Sequence, residues 1–160
     1  IEEGINGRTV LDHIPDENPA NGLWYLENLL DRVYLDIIII LLGINDLFAD
    51  SELPVKKIAG GIEKMINRIK FKTPGKDIII ISPPQINEDF EEAYLYQSQI
   101  LKSKQISREY KHIAASNGCG FADAGKIVST SPVDGIHIAE KDNITLGNYM
   151  ADFIRMSFNV

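Results

Sequence analysis

Gly7, the pair Asn45-Asp46 and the run Asp134-Gly-Ile-His137 are the residues whose types and spacing could do chemistry. An imidazole works as a base when a third group fixes its tautomer and stabilises the imidazolium. Asp134 stands three residues before His137, and Gly135 between them allows a tight reversal. The carboxylate can then fold onto the Nδ1–H and leave Nε2 to face a crevice. Taken alone, this pattern is short and common, and an aspartate capping a turn ahead of a surface histidine is the plainer reading. Asn45 also reads two ways. It is ordinary turn chemistry, or a side-chain NH2 aimed at a developing oxyanion, a donor typically worth roughly 10²–10³ in rate. Gly7 by itself is more often a turn residue than an oxyanion donor.

The other polar candidates carry less. Ser82 stands at the end of an apolar run, but the following Pro83-Pro84 reads as plain strand termination. His13 lies in a polar loop and His112 on a long helix, both read as solvated. No His, Asp or Glu set has a metal-ligand spacing. The lone Cys119 rules out an internal disulfide framework and reads as a small core residue.

These residues need a scaffold, and the sequence supplies one. Residues 36–42 read Asp-Ile-Ile-Ile-Ile-Leu-Leu, a run without polar alternation that stops at Gly43. That is the pattern of a strand buried on both faces in a parallel sheet. Asn45 follows at its carboxyl end, where open α/β sheets place their ligand crevice. A second such strand is Ile78–Ile81, and 120–122 is a short third one. Residues 1–9 read as the end of a strand entering a turn punctuated by Gly4 and Gly7. Helical spacing predicts helices over 22–33, from about 54 to 72, over about 95–117 and over about 140–157. In the last, Gly147, Met150, Ala151, Ile154 and Phe158 share one face. Residues 10–21, the segment through Phe48 and Asp50, and the acidic stretch 85–94 read as loops. The alternation implies a single α/β domain, a three-layer α/β/α sandwich around a parallel sheet.

Composition narrows the partners. The 160 residues are 44% apolar and 24% charged, with net charge −7 and no basic patch. Nucleic acid and anionic membrane are poor partners for such a chain. No apolar run reaches the length of a membrane span. The chain starts at Ile1 without a signal-like segment, and a cytoplasmic location is the expectation.

The order of the blocks changes the odds. Gly43-Ile-Asn45-Asp46 after a buried strand, with Asp134-x-x-His137 before the last helix, resembles the SGNH (GDSL) hydrolase family. Glu3-Gly-Ile-Asn-Gly-Arg-Thr9 is similar to that family's second block, in its arylesterase/acyltransferase-like branch. Pro83-Pro84 and Phe121-Ala-Asp-Ala-Gly125 fit the same branch. The resemblance implies a flavodoxin-like fold and an esterase of small acyl or acetyl esters that needs no metal or organic cofactor. It implies that His137 is the general base and Asp134 its orienting carboxylate, with the Gly7 N–H and the Asn45 side chain as oxyanion donors. Trp24, Phe48, Ile86 and Phe90 are then candidate walls of the acyl pocket, although core packing explains each of them equally well.

The family's Gly-Asp-Ser block, which carries the nucleophile on the first strand, occurs nowhere in these residues. The expectation is a chain lacking that strand, with an apolar sheet edge exposed at 36–42. Such an edge could drive association into a homo-oligomer. The competing reading is a non-catalytic member that keeps the crevice and binds. A nucleotide-binding domain fits poorly, because no Gly-x-Gly-x-x-Gly is present.

Overall fold

The computed structural model describes residues 1–11, 15 and 17–158. Its order is α1 (Gly22–Leu30), β1 (Ile37–Leu41), α2 (Ile44–Ala49), α3 (Val55–Lys72), β2 (Asp77–Ser82), α4 (Gln97–Ser116), β3 (Gly120–Asp123) and α5 (Glu140–Phe158). Single 3-10 turns stand at Ala93–Leu95 and Ala124–Lys126.

Each helix begins and faces as its residues dictate. Asn21 caps α1 by accepting from the Trp24 N–H at 3.1 Å. The helix stops at Leu30, three residues short of the expected end, although the Val33 N–H still reaches the Leu29 carbonyl at 3.1 Å. In α3 the apolar positions Val55, Ile58, Ala59, Ile62, Met65, Ile66 and Ile69 are all buried, as their spacing requires. Gly61 in this helix packs closely against Val10 and Leu11, not against the sheet. In α5 the buried stripe runs through Leu146 and Met150, with Phe153 and Ile154 partly buried, while Gly147 lies outside it.

The strands pair in parallel in the order β1-β2-β3, with Ile39 opposite Ile79 and Ile80 opposite Phe121. One face of the sheet, through Ile38, Ile40, Ile78 and Ile80, packs on α1, α3 and α4. The other, through Ile79, Ile81 and Ala122, packs on α5. The result is the expected three-layer α/β sandwich.

Three expectations are corrected. β1 is not buried on both faces: Ile38 and Ile40 are buried, but Ile39 is 43% and Leu41 36% exposed. The reason is its place at the sheet edge, where the cluster on the α5 side reaches Ile37 of β1 but neither Ile39 nor Leu41. Residues 1–9 form no strand; only Thr9 makes an isolated parallel bridge, to Asn21. The segment after Gly43 is also not a loop, since Ile44–Ala49 coils into α2.

Candidate active site

The turn carrying His137 is pinned on both sides. Its Gly135 N–H donates to the Ser131 carbonyl at 2.8 Å, and the Ser131 N–H to the His137 carbonyl at 2.7 Å. From the segment after β2, the Asn87 N–H donates to the Gly135 carbonyl at 2.8 Å. Inside the turn Asp134 does two jobs. Its Oδ1 accepts from the backbone N–H of Ile136 at 2.9 Å and of His137 at 3.0 Å. Its Oδ2 stands 3.0 Å from His137 Nδ1. The Ile136 N–H, then that of His137, hold the Asp134 carboxyl below the usual carboxylate range, with partial burial opposing and the imidazole assisting. A carboxylate at Nδ1 places the proton there and frees Nε2 as an acceptor. The imidazole is largely open to solvent, 76% exposed. The capped turn of the plainer reading and a carboxylate oxygen beside Nδ1 therefore occur together in the same residues.

His137 lines a cavity of about 260 Å³ together with Leu41, Leu42, Ile44, Pro83, Pro84, Ile136, Ile138 and Asn143. Its walls come from the carboxyl ends of β1 and β2, where the sheet's crevice was expected. Asn45 follows the cavity residue Ile44 directly and sits in the first turn of α2. Its Nδ2 donates to the Arg8 carbonyl at 2.9 Å. That bond ties the 7–11 segment to the carboxyl end of β1. Gly7, next to Arg8, is exposed and has φ +75°, a conformation that L side chains resist. The buried Arg8 guanidinium donates from Nε to the Pro19 carbonyl at 3.0 Å and from Nη1 to the Glu3 carbonyl, and its Cζ lies 4.0 Å from the centre of the Tyr25 ring.

The proposed pocket walls lie elsewhere. Ile86 and Phe90 are core residues, 2% and 7% exposed. Phe48 is half-buried and meets Tyr96 edge-on at 5.5 Å. Trp24 is half-buried on α1. None of the four lines the cavity beside His137, because apolarity alone does not tell a wall from the packing behind it. Of the residues that do line it, Leu41 and Leu42 are read from sequence as strand and Pro83 and Pro84 as strand ending. Ser82 is fully buried and donates to Asp123 Oδ1 at 3.3 Å, which suits a structural role. His112 is exposed on α4, and His13 lies outside the described residues.

Sequence reasoning passed over Asp46 as part of a turn. It is fully buried, and its carboxylate accepts from the Val10 N–H at 3.1 and 2.9 Å and from the Leu11 N–H at 2.9 Å. The signal was available in retrospect: an acidic residue one place after a strand-end asparagine has to be satisfied if its helix is buried. Among the described residues no three His, Cys, Asp or Glu side chains gather to hold a metal, and no helix is long and apolar enough to cross a membrane.

A parallel α/β sandwich with these loops beyond its strand ends has the fold of the SGNH hydrolases. Residues 1–144 match the GDSL-like lipase/acylhydrolase family, and the chain belongs to it. Among solved structures it is similar to Est24, a carbohydrate acetylesterase from Sinorhizobium meliloti, at 30% identity and a TM-score of 0.87. That match covers 99% of this chain and 78% of that one. The M. smegmatis aryl esterase matches at 30% identity and a TM-score of 0.85, over 98% of this chain and 77% of that one. A comparison with curated protein sequences finds no match.

Proposed function

We propose that this chain forms the body of a serine esterase acting on small acyl or acetyl esters. The observation that carries the reading is the Asp134–His137 pair, 3.0 Å apart, at an apolar cavity by the strand ends. The carbohydrate acetylesterase and aryl esterase among the similar structures support the substrate class. The nucleophile is a serine from sequence ahead of Ile1, whose strand pairs with the open edge of β1 and covers Ile39 and Leu41. It attacks the ester carbonyl while His137 Nε2 takes its proton. Asp134 stabilises the imidazolium, and the Gly7 N–H and Asn45 Nδ2 hold the tetrahedral oxyanion. The proton then passes to the departing alkoxide. Water, deprotonated by His137, releases the acyl group and restores the serine.

The absence of Gly-Asp-Ser from the 160 residues favours one other reading, a binding protein of the same fold without a nucleophile. Full-length protein assayed with p-nitrophenyl acetate and a fluorophosphonate probe separates the two. An esterase labels at one serine, and His137→Ala lowers its turnover at least about 10²-fold. Undiminished turnover in that variant removes His137 from the reaction. No label and no turnover in the parent protein leaves the binding reading.

A further inference from the structure

Two consecutive side chains at the start of α2 hold the backbone of residues 8–11 from opposite chemical sides. Asn45 donates to the Arg8 carbonyl at 2.9 Å, and Asp46 accepts from the Val10 and Leu11 N–H groups. An asparagine amide nitrogen has two hydrogens. With one committed to Arg8, the direction of the other follows wherever the Arg8 carbonyl stands. That carbonyl is two residues from the N–H groups Asp46 grips, and one residue from Gly7. Only a carboxylate offers acceptors on both oxygens to these donors; an asparagine would turn an NH2 toward one of them or forgo a bond.

We infer that Asp46 is a positioning residue for the oxyanion site: by gripping the Val10 and Leu11 N–H groups it sets where the Arg8 carbonyl stands, and through it the direction of the Asn45 amide. The inference rests on the esterase reading for the use of that amide, while the grip itself is independent of it. The surroundings leave the segment little room to shift. Val10 is 2% exposed, and Gly61 of α3 lies so close that a Cβ there would stand 2.5 Å from Val10 Cγ1.

The test is a double-mutant cycle of Asp46→Asn and Asn45→Ala in the full-length protein, with kcat and KM for p-nitrophenyl acetate and a thermal melt for each variant. Asp46→Asn should lower kcat by roughly 10²-fold, the size of losing one oxyanion donor, with KM changed by under about threefold. In the Asn45→Ala background the same change should cost under about threefold, because the group it orients is already gone. An equal loss in both backgrounds, or an unchanged kcat in the single variant, overturns the inference.

Two further measurements keep it open to refutation. In Asp46→Asn the Asn45 side-chain amide resonances should move toward those of a free asparagine, and unmoved resonances count against the inference even where no ester turns over. Should that variant not fold, amide exchange in the unaltered protein decides. The Val10 and Leu11 amides should exchange as slowly as those of β2, and loop-like exchange defeats the grip. A parent protein without esterase activity sinks the esterase reading alone, leaving the grip to the resonance and exchange data.

Discussion

The ring of Phe90 occupies the space that a side chain at position 135 would need. A Cβ on Gly135 would lie 2.2 Å from Phe90 Cδ1, and the backbone there has φ +71°. Position 135 thus demands glycine for two separate reasons. Phe90 in turn stacks on Tyr96 at 6.0 Å, and Tyr96 meets Phe48 edge-on. Two aromatic residues expected to face an acyl group instead belong to a packed cluster that supports the Asp134–His137 turn from beneath.

Gly135→Ala should therefore damage the turn from below. The left-handed backbone alone costs about 1–2 kcal/mol, and the collision with Phe90 pushes Asp134 and His137 off their positions. A lowered melting temperature with at least tenfold slower ester turnover is the expected result. Adding Phe90→Leu should recover part of both. A Gly135→Ala protein that melts and turns over like the parent contradicts this account.

Asp134 contributes through pH in a direction that its hydrogen bonds set. Its folded-state carboxyl lies below the ordinary value of about 3.9, first because of the Ile136 N–H and then the His137 N–H. A carboxylate depressed in this way adds stability that is present above the unfolded value and lost as pH falls through the lower folded one. The turn should stay ordered through mildly acidic pH and loosen only in stronger acid. A nuclear magnetic resonance titration of Asp134 Cγ checks it, and a midpoint at or above the ordinary value refutes it. Asp134→Asn can keep an oxygen on both N–H groups while losing its hold on the imidazole. Turnover should then drop by roughly 10²–10⁴ with little change in melting.

Tyr110 secures the end of β1. Its hydroxyl donates to the Leu42 carbonyl at 3.0 Å from a fully buried position. Burial first, and the charge of Asp46 second, push the phenol well above its ordinary range. A raised phenol gives stability that is complete below about pH 10 and is lost as pH rises through the folded value. Tyr110→Phe should cost about 1–3 kcal/mol near neutrality, because the Leu42 carbonyl loses its partner. It should also flatten the fall in stability on going to about pH 11. Urea melts at the two pH values test both statements, and an equally steep alkaline fall in the variant refutes the second.

The exposed side of β1 should make this chain associate. Ile39 and Leu41 present apolar surface on an edge strand, where further chains can pair. Ile39→Lys should reduce concentration-dependent association in sedimentation while changing stability by no more than about 0.5 kcal/mol. Association that persists unchanged locates the contact elsewhere.

Several elements were legible because local chemistry decides them. The helical spacing from Val55 to Ile69 needed no partner to be recognised, and α3 begins and ends within a residue or so of its cues. The isoleucine runs of β1 and β2 likewise announce strands, and Asp134 sits within reach of His137 by chain geometry alone. The helix after Gly43 escaped notice because six residues show too little periodicity to be told from a turn.

What the sequence by itself determined is the longer helices and the three strands of the sheet, their parallel α/β arrangement, and the local pair of acid and imidazole, since each depends on residues close together in the chain. Only the tertiary structure decided that Ile39 and Leu41 are the side chains of β1 left exposed, that Phe90 and Ile86 are core while Pro83 and Leu42 line the cavity, and that Asp46 grips residues 10 and 11. Those facts depend on which segments distant in sequence come to lie against each other. An apolar or acidic residue carries no mark of the neighbour that folding will bring to it.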